Sequence, residues 1–204
     1  LLKSAAMENP AFIAQTIAIE TTVDSGSAAQ LLTQEACSPG DRDIWYRDQT
    51  RKVRQLLAVD VPAIEPELIP FKEKGVYLIT GGQGGLGVAF ARAILRSCSG
   101  STVILCGRGP EDVGLIQALQ SEAGQASKVV YFRVDISSAE ECRSMMQEIE
   151  RRYHRLSGVL HCAGLLQDSF LIKKSVEQFQ SVLASKVTGL INLDQATSES
   201  ELDF

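Results

Sequence analysis

The stretch of this chain that most limits its fold is Thr80-Gly81-Gly82-Gln83-Gly84-Gly85-Leu86-Gly87, set between two periodic segments. Before it stands Val76-Tyr77-Leu78-Ile79, a continuous apolar run of strand length. After it, Val88, Ala91 and Leu95 recur at helical spacing as far as Ser97. Glycines between a buried strand and a helix allow a tight turn and a close backbone approach to a bound group. The helix N-terminus adds unpaired N–H groups and the positive end of a dipole, which suits a pyrophosphate. Together these features predict a dinucleotide site built from Thr80, Gly81, Gly82, Gln83, Gly84, Gly85, Leu86 and Gly87. A nucleoside-triphosphate P-loop is excluded, because Val88 rather than a Lys-Ser or Lys-Thr pair closes the run.

The same alternation continues downstream. Apolar runs at Thr102–Cys106, Val129–Val134 and Val159-Leu160 are separated by helical periods near Asp112–Gln120 and at Ala139–Tyr153. A last helix is expected from Ser175 to about Thr197, with Ser175 and Gln178 capping reciprocally and Val176, Phe179, Leu183, Leu190 and Leu193 forming its stripe. Strands alternating with helices predict right-handed βαβ units and an α/β, doubly wound parallel sheet. The first sixty residues read differently. A strand is expected over Phe12–Glu20, with Ile13, Ile17 and Ile19 on one side. A helix over Ser25–Cys37 would carry Ala28, Leu31, Leu32 and Ala36, and Ile44–Arg47 with Lys52–Val59 would form a hairpin. Pro62, Pro66 and Pro70 then predict a linker, since proline cannot donate the bonds of a central strand.

Charge and cysteine content remove several classes. With 20 basic against 25 acidic residues, a net charge of −5 and no Lys/Arg cluster, the chain is not expected to bind nucleic acid. No apolar run nears the roughly 18 residues of a membrane span, and Leu1-Leu2-Lys3 opens no signal peptide. The five cysteines form no C-x-x-C pair and the histidines are only His154 and His161, so no metal site is expected. Reduced thiols suit a cytoplasmic protein. A start at Leu1 rather than Met leads us to expect a piece of a longer chain.

The second strand of the alternating region bears on the cofactor. An NAD site tends to place an acid there for the ribose 2′-hydroxyl. This chain has Cys106-Gly107-Arg108, and an arginine fork cannot accept from a hydroxyl but fits a 2′-phosphate. NADPH is therefore expected, with a solvated loop arginine as the alternative.

Thr80 to Gly87 has the spacing TGxxxGxG and resembles the short-chain dehydrogenase/reductase superfamily. Val134-Asp135-Ile136 resembles the third-strand end where that family sets an Asp near the adenine. His161-Cys162-Ala163-Gly164 resembles the turn beside the cofactor, and Leu166-Gln167-Asp168 and Lys186-Val187-x-Gly189 follow. With the N-terminal strand, helix and hairpin, nearly the whole chain is similar to the ketoreductase domain of a modular polyketide synthase. Asp168-Ser169-Phe170 and Leu193–Thr197 are similar to domains from assembly lines with free-standing acyltransferases.

The resemblance implies an architecture and roles. Residues 1–71 would be part of a truncated Rossmann-like structural subdomain without cofactor, and residues 72–204 part of the NADPH-binding catalytic subdomain. The implied reaction is reduction of a β-keto thioester held on an acyl carrier protein, beside neighbouring synthase domains. Lys186 matches the family's catalytic Lys, although Ser185 replaces the common preceding Pro. Arg108, Asp135, Ile136, Ala163 and Gly164 join the glycine run at the cofactor. Asp168 matches the aspartate that marks B-type stereochemistry, with Gln167 in place of the motif's first Asp. The family's Ser would lie on a strand starting near Leu202-Asp203-Phe204, with its Tyr and Asn beyond. Its Tyr has Lys or Asn four residues on, whereas Tyr46, Tyr77, Tyr131 and Tyr153 are followed there by Thr50, Gly81, Asp135 and Ser157. The expectation is thus an inactive fragment with an incomplete sheet and apolar surface along Val159-Leu160 and Val182–Leu193.

Residue by residue, plainer readings stay open. Lys186 could be a solvated helix lysine, Asp135 could cap the next helix, His161 reads as a satisfied core histidine and Cys162 as a small packing residue. A free-standing dehydrogenase would have no use for the N-terminal elements. A non-catalytic scaffold would need neither the glycine run nor Arg108.

Overall fold

A computed structural model describes residues 1–38, 40–48, 50–59, 71–124 and 126–204. The chain forms two compact units, Leu1–Pro66 with Ser169–Lys174, and Glu67–Asp168 with Ser175–Phe204. The proline-rich stretch around Pro62, Pro66 and Pro70 lies outside the described residues.

The first unit holds helix α1 (Leu2–Glu8), strand β1 (Thr16–Ile19), helix α2 (Ser25–Ala36) and the hairpin β2 (Asp43–Arg47) and β3 (Thr50–Val53). β1 runs parallel to β2, which pairs antiparallel with β3. Asp24 caps α2 by accepting from the N–H groups of Gly26 and Ser27. Both outer ends of the expected strands are shorter than the pattern suggested. Ile13 lies outside β1 and is exposed, and the hairpin ends at Val53, leaving Leu56 in solvent. Alternation continued past the last paired backbone group, and an unpaired segment has no ladder to hold it extended.

The expected apolar stripe of α2 turns inward only in part: Ala28 and Leu31 are partly buried, while Leu32 and Ala36 are exposed. Glu35 is the buried residue of that helix, at 2% exposure. Arg51 donates to both its oxygens, from Nε at 2.6 Å and Nη2 at 2.9 Å, and the Tyr46 hydroxyl donates at 2.5 Å. The Arg51 and Tyr46 hydrogen bonds hold the Glu35 carboxyl down at about 2. A depressed carboxylate stabilises the fold above its ordinary range and loses that contribution as pH falls towards 2. Arg51→Met should therefore move the acid limb of unfolding upward, towards ordinary carboxylate pH. Circular dichroism across pH 2–5 checks this, and an unmoved limb would show that the pair carries no acid resistance.

The second unit contains the parallel α/β sheet expected from the alternation. Its strands are β4 (Val76–Thr80), β5 (Thr102–Gly107), β6 (Lys128–Arg133) and β7 (Gly158–His161), in the order β6-β5-β4-β7. All pairs are parallel, with Leu78 opposite Ile104 and Val159. Successive side chains serve opposite faces. Leu78, Ile104 and Cys106 pack with Cys142, Met145 and Ile149 of α5 (Ala139–Tyr153). Tyr77, Ile79, Val103 and Leu105 pack with Ala91 and Ile94 of α3 (Gly85–Ser97) and Leu119 of α4 (Val113–Glu122). Because both faces are covered, the central strands are apolar throughout rather than alternating. Asp203 N–H donates to the Ser157 carbonyl and Val159 N–H to the Phe204 carbonyl, so residues 203–204 lie along the outer edge of β7.

The last helix departs from its expected form. It comprises α6 (Val176–Leu183), a π-helical turn (Ala184–Thr188) and α7 (Gly189–Ala196). The reciprocal Ser175–Gln178 cap is present. The large apolar residues Val176, Phe179, Leu183 and Leu190 face outward, however, and only Leu193 of that stripe is buried. Ser181, Ser185 and Gly189 take the inner side, and a Cβ on Gly189 would fall 2.8 Å from Ile136 Cδ1. Contact with Ile136 leaves no room for a side chain at Gly189, while Ser181 and Ser185 line a cleft. Val187, Leu190 and Ile191 are left about half exposed.

Candidate active site

The strand order turns back between β4 and β7: the chain leaves β4 towards β5 on one side and reaches β7 on the other. Crevices at such switch points, beyond the carboxyl ends of the strands, are where open α/β sheets bind ligands. A cleft of about 130 Å³ lies there, lined in part by Gly81, Arg108, Asp135, Gly164 and Ser185. A larger groove of about 560 Å³ lies beside Arg143, Glu150, His154, Arg155 and Glu199. It sits where α5 leads into the amino end of β7 and is lined by none of Gly81, Arg108, Asp135 or Gly164. We take the switch-point cleft as the site on that chemistry rather than on size.

The glycine loop follows β4 directly. Gly81 has φ +62°, and a Cβ there would also strike the Ala163 backbone at 2.8 Å. Gly87 brings α3 back onto the loop, where a Cβ would fall 2.6 Å from the Gly81 carbonyl oxygen. The first bond of α3 runs from Val88 N–H to the Gly84 carbonyl at 2.9 Å, and no side chain caps the helix. The N–H groups of Gly85, Leu86 and Gly87 thus have no intrahelical partner. Beside Gly85 a Cβ would meet nothing within 4 Å, so the helix start opens on free space. Both features fit the pyrophosphate of a dinucleotide. Thr80 works inward: its hydroxyl accepts from Ala163 N–H at 3.2 Å and lies 2.8 Å from His161 Nδ1. The Gln83 side chain is committed to Pro110 and Asp112, which leaves only its backbone for a ligand.

Arg108 stands exposed at the end of β5, and its guanidinium makes no ion pair among the described residues. One oxygen of Asp135 accepts from the N–H and hydroxyl of Ser137, at 3.0 and 2.7 Å. That bond braces the turn before α5, while Ser138 is the residue that caps the helix. Ile136 is buried, and its carbonyl accepts from Asn192 Nδ2 at 2.9 Å. Ala163 and Gly164 leave β7 beside the glycine loop.

Lys186 projects from the π turn, and a Cβ on Gly164 would lie 3.5 Å from its Cε. Nothing in the apolar periodicity signalled this π turn; mid-helix Gly189 was the visible mark of it. Such turns occur often at functional positions. His161 corrects its sequence reading. Nδ1 is bonded to Thr80, but buried Nε2 makes no hydrogen bond of ordinary geometry among the described residues, so the ring is only half satisfied. Burial lowers its pKa, the nearby Ser185 backbone opposes that shift, and the Lys186 charge adds to it. The ring is therefore neutral at pH 7. Cys162 is partly buried, and burial pushes its thiol pKa up, in keeping with packing rather than reactivity. Asp168 lies apart from this group, exposed in the loop after β7, where neighbouring Gln167 accepts from Ser181.

The KR domain profile matches residues 75–204. The chain is 38% identical to Polyketide synthase PksL and 36% identical to Polyketide synthase PksN, both of Bacillus subtilis (strain 168), over its whole length. It spans 4% of each of those relatives. Among solved structures, a ketoreductase domain from the bacillaene assembly line is 35% identical with a TM-score of 0.86. That match covers 100% of this chain and 48% of the solved one. From its fold, its glycine loop and these matches, the chain belongs to the KR family, the ketoreductase domains of polyketide synthases.

Proposed function

We propose that the chain forms the cofactor half of an NADPH-dependent ketoreductase. It would reduce a β-ketoacyl thioester on an acyl carrier protein to the β-hydroxyacyl thioester, in the cytoplasm beside neighbouring synthase domains. The observation that carries this reading is the convergence of the glycine loop, Arg108, Asp135 and Gly164 on one cleft, with Lys186 over Gly164. The bound cofactor supplies a hydride. The α3 N-terminus holds its pyrophosphate, Arg108 its 2′-phosphate, and Asp135 accepts from its adenine amino group with the oxygen not used by Ser137. Thr80 fixes the Ala163–Gly164 turn, which would stand beside the nicotinamide. The Lys186 ammonium stabilises negative charge developing on the ketone oxygen and favours proton transfer from a tyrosine. We assign residues 1–71 a structural role without cofactor.

Asp168 in the Leu-x-Asp position supports B-type reduction, giving the R hydroxyl in a simple 3-hydroxyacyl thioester. Chiral chromatography of the product from a complete ketoreductase domain tests both parts. NADPH-dependent formation of mainly R product is expected. Absence of any hydroxyacyl product would sink the activity, and mainly S product would sink the stereochemical assignment.

A further inference from the structure

We propose that Tyr131 and Gln83 are positioning residues that set the preference for a 2′-phosphorylated cofactor, by clamping the loop that carries Arg108. The inference rests on the NADPH reading above. Four successive carbonyls of that loop each accept a hydrogen bond from outside it. Gly107 accepts from Val134 N–H at 2.9 Å and from the Tyr131 hydroxyl at 3.0 Å. Arg108 accepts from Arg133 Nε at 3.1 Å, and the Gly109 carbonyl, 2.8 Å from the same Tyr131 hydroxyl, shares its single proton with Gly107. Pro110 accepts from Gln83 Nε2 at 3.0 Å. The other end of the Gln83 amide accepts from Asp112 N–H at 2.5 Å, and Asp112 in turn caps α4 through Leu115 N–H. The backbone is thus held from the end of β5 to the start of α4.

The physical need is plain. Arg108 sits between two glycines, and a loop of that composition samples many backbone conformations when free. Each would aim the guanidinium elsewhere, and ordering the loop on binding would subtract from the gain of the phosphate contact. The clamp removes that cost beforehand. Gln83 belongs to the glycine loop, so one side chain ties the pyrophosphate-binding turn to the 2′-phosphate-binding turn. Every acceptor facing Tyr131 here is a carbonyl, so the phenol must stay protonated. Burial pushes its pKa up, with the nearby Gln83 side chain acting weakly the other way. A Cβ on Gly107 would lie 3.1 Å from that hydroxyl, a fit that leaves the clamp little slack.

Calorimetric titration of a complete ketoreductase domain with 2′,5′-ADP and with 5′-AMP isolates the 2′-phosphate. The unsubstituted domain should prefer 2′,5′-ADP, and Arg108→Ala should abolish the preference. Tyr131→Phe and Gln83→Ala should each reduce the ratio of the two affinities by about 3- to 10-fold, as loss of one or two hydrogen bonds implies. No preference in the unsubstituted domain, or a preference that survives Arg108→Ala, overturns the NADPH reading and the clamp with it. A preference lost in Arg108→Ala but intact in Tyr131→Phe and Gln83→Ala overturns the clamp alone. Equal weakening of both nucleotides also overturns it, since that is general loosening rather than aim.

Discussion

Replacing Lys186 by alanine should lower kcat for reduction of a β-ketoacyl thioester by about 10²-fold or more in a complete ketoreductase domain. The ammonium is solvent-exposed, makes no ion pair among the described residues, and reaches over Gly164. Its charge is therefore free to act on a developing alkoxide, and nearby His161, its pKa lowered by burial, carries no competing charge at pH 7. Cofactor affinity should change far less than kcat, because the proposed phosphate contacts lie on the glycine loop and Arg108. Steady-state NADPH oxidation with cofactor titration separates the two, and an unchanged kcat would remove Lys186 from the chemistry. The 204 residues by themselves should give no turnover. Tyr46 is bound to Glu35, Tyr77 to Lys72 and Tyr131 to the Arg108 loop, while Tyr153 packs against the core. We therefore expect none of the three tyrosines of the second unit to protonate a ketone beside Lys186. Turnover by the chain alone would mean that the site is elsewhere.

Arg108→Ala should weaken NADPH binding far more than NADH binding. The guanidinium has no competing ion pair among the described residues, and the proposed clamp would hold its loop before any ligand arrives. Loss of a charge-assisted contact costs about 1.5–3 kcal/mol, which corresponds to roughly 10- to 100-fold in affinity. Fluorescence titration with both cofactors gives the comparison. An equal loss for the two would place Arg108 outside the 2′-phosphate contact.

Where the pattern was long and periodic, the sequence was a sufficient guide. The expected helix over Ala139–Tyr153 has those limits, and the apolar runs from Val76, Thr102, Val129 and Val159 are strands of one parallel sheet. These segments are legible because a doubly covered sheet demands continuous apolar strands, and amphipathic helices must turn one stripe towards it. The glycine run was legible for a related reason, since backbone approach and a positive φ exclude side chains at named positions.

Other features were decided only when distant segments met. The pattern offered no sign that Glu35 would be buried, because its partners Tyr46 and Arg51 come from a hairpin later in the chain. Nor did it show that Gly189 would seat closely on Ile136, a contact across 53 residues, with Phe179 and Leu183 facing outward. The clamp on the Arg108 loop draws Gln83, Tyr131 and Arg133 from three elements, none of which carries a motif for it. Local propensity and periodicity report what a segment does with its own neighbours. Buried ion pairs, close helix seats and loop clamps depend on which groups the sheet order brings within about 3 Å, and that is a property of the assembled fold.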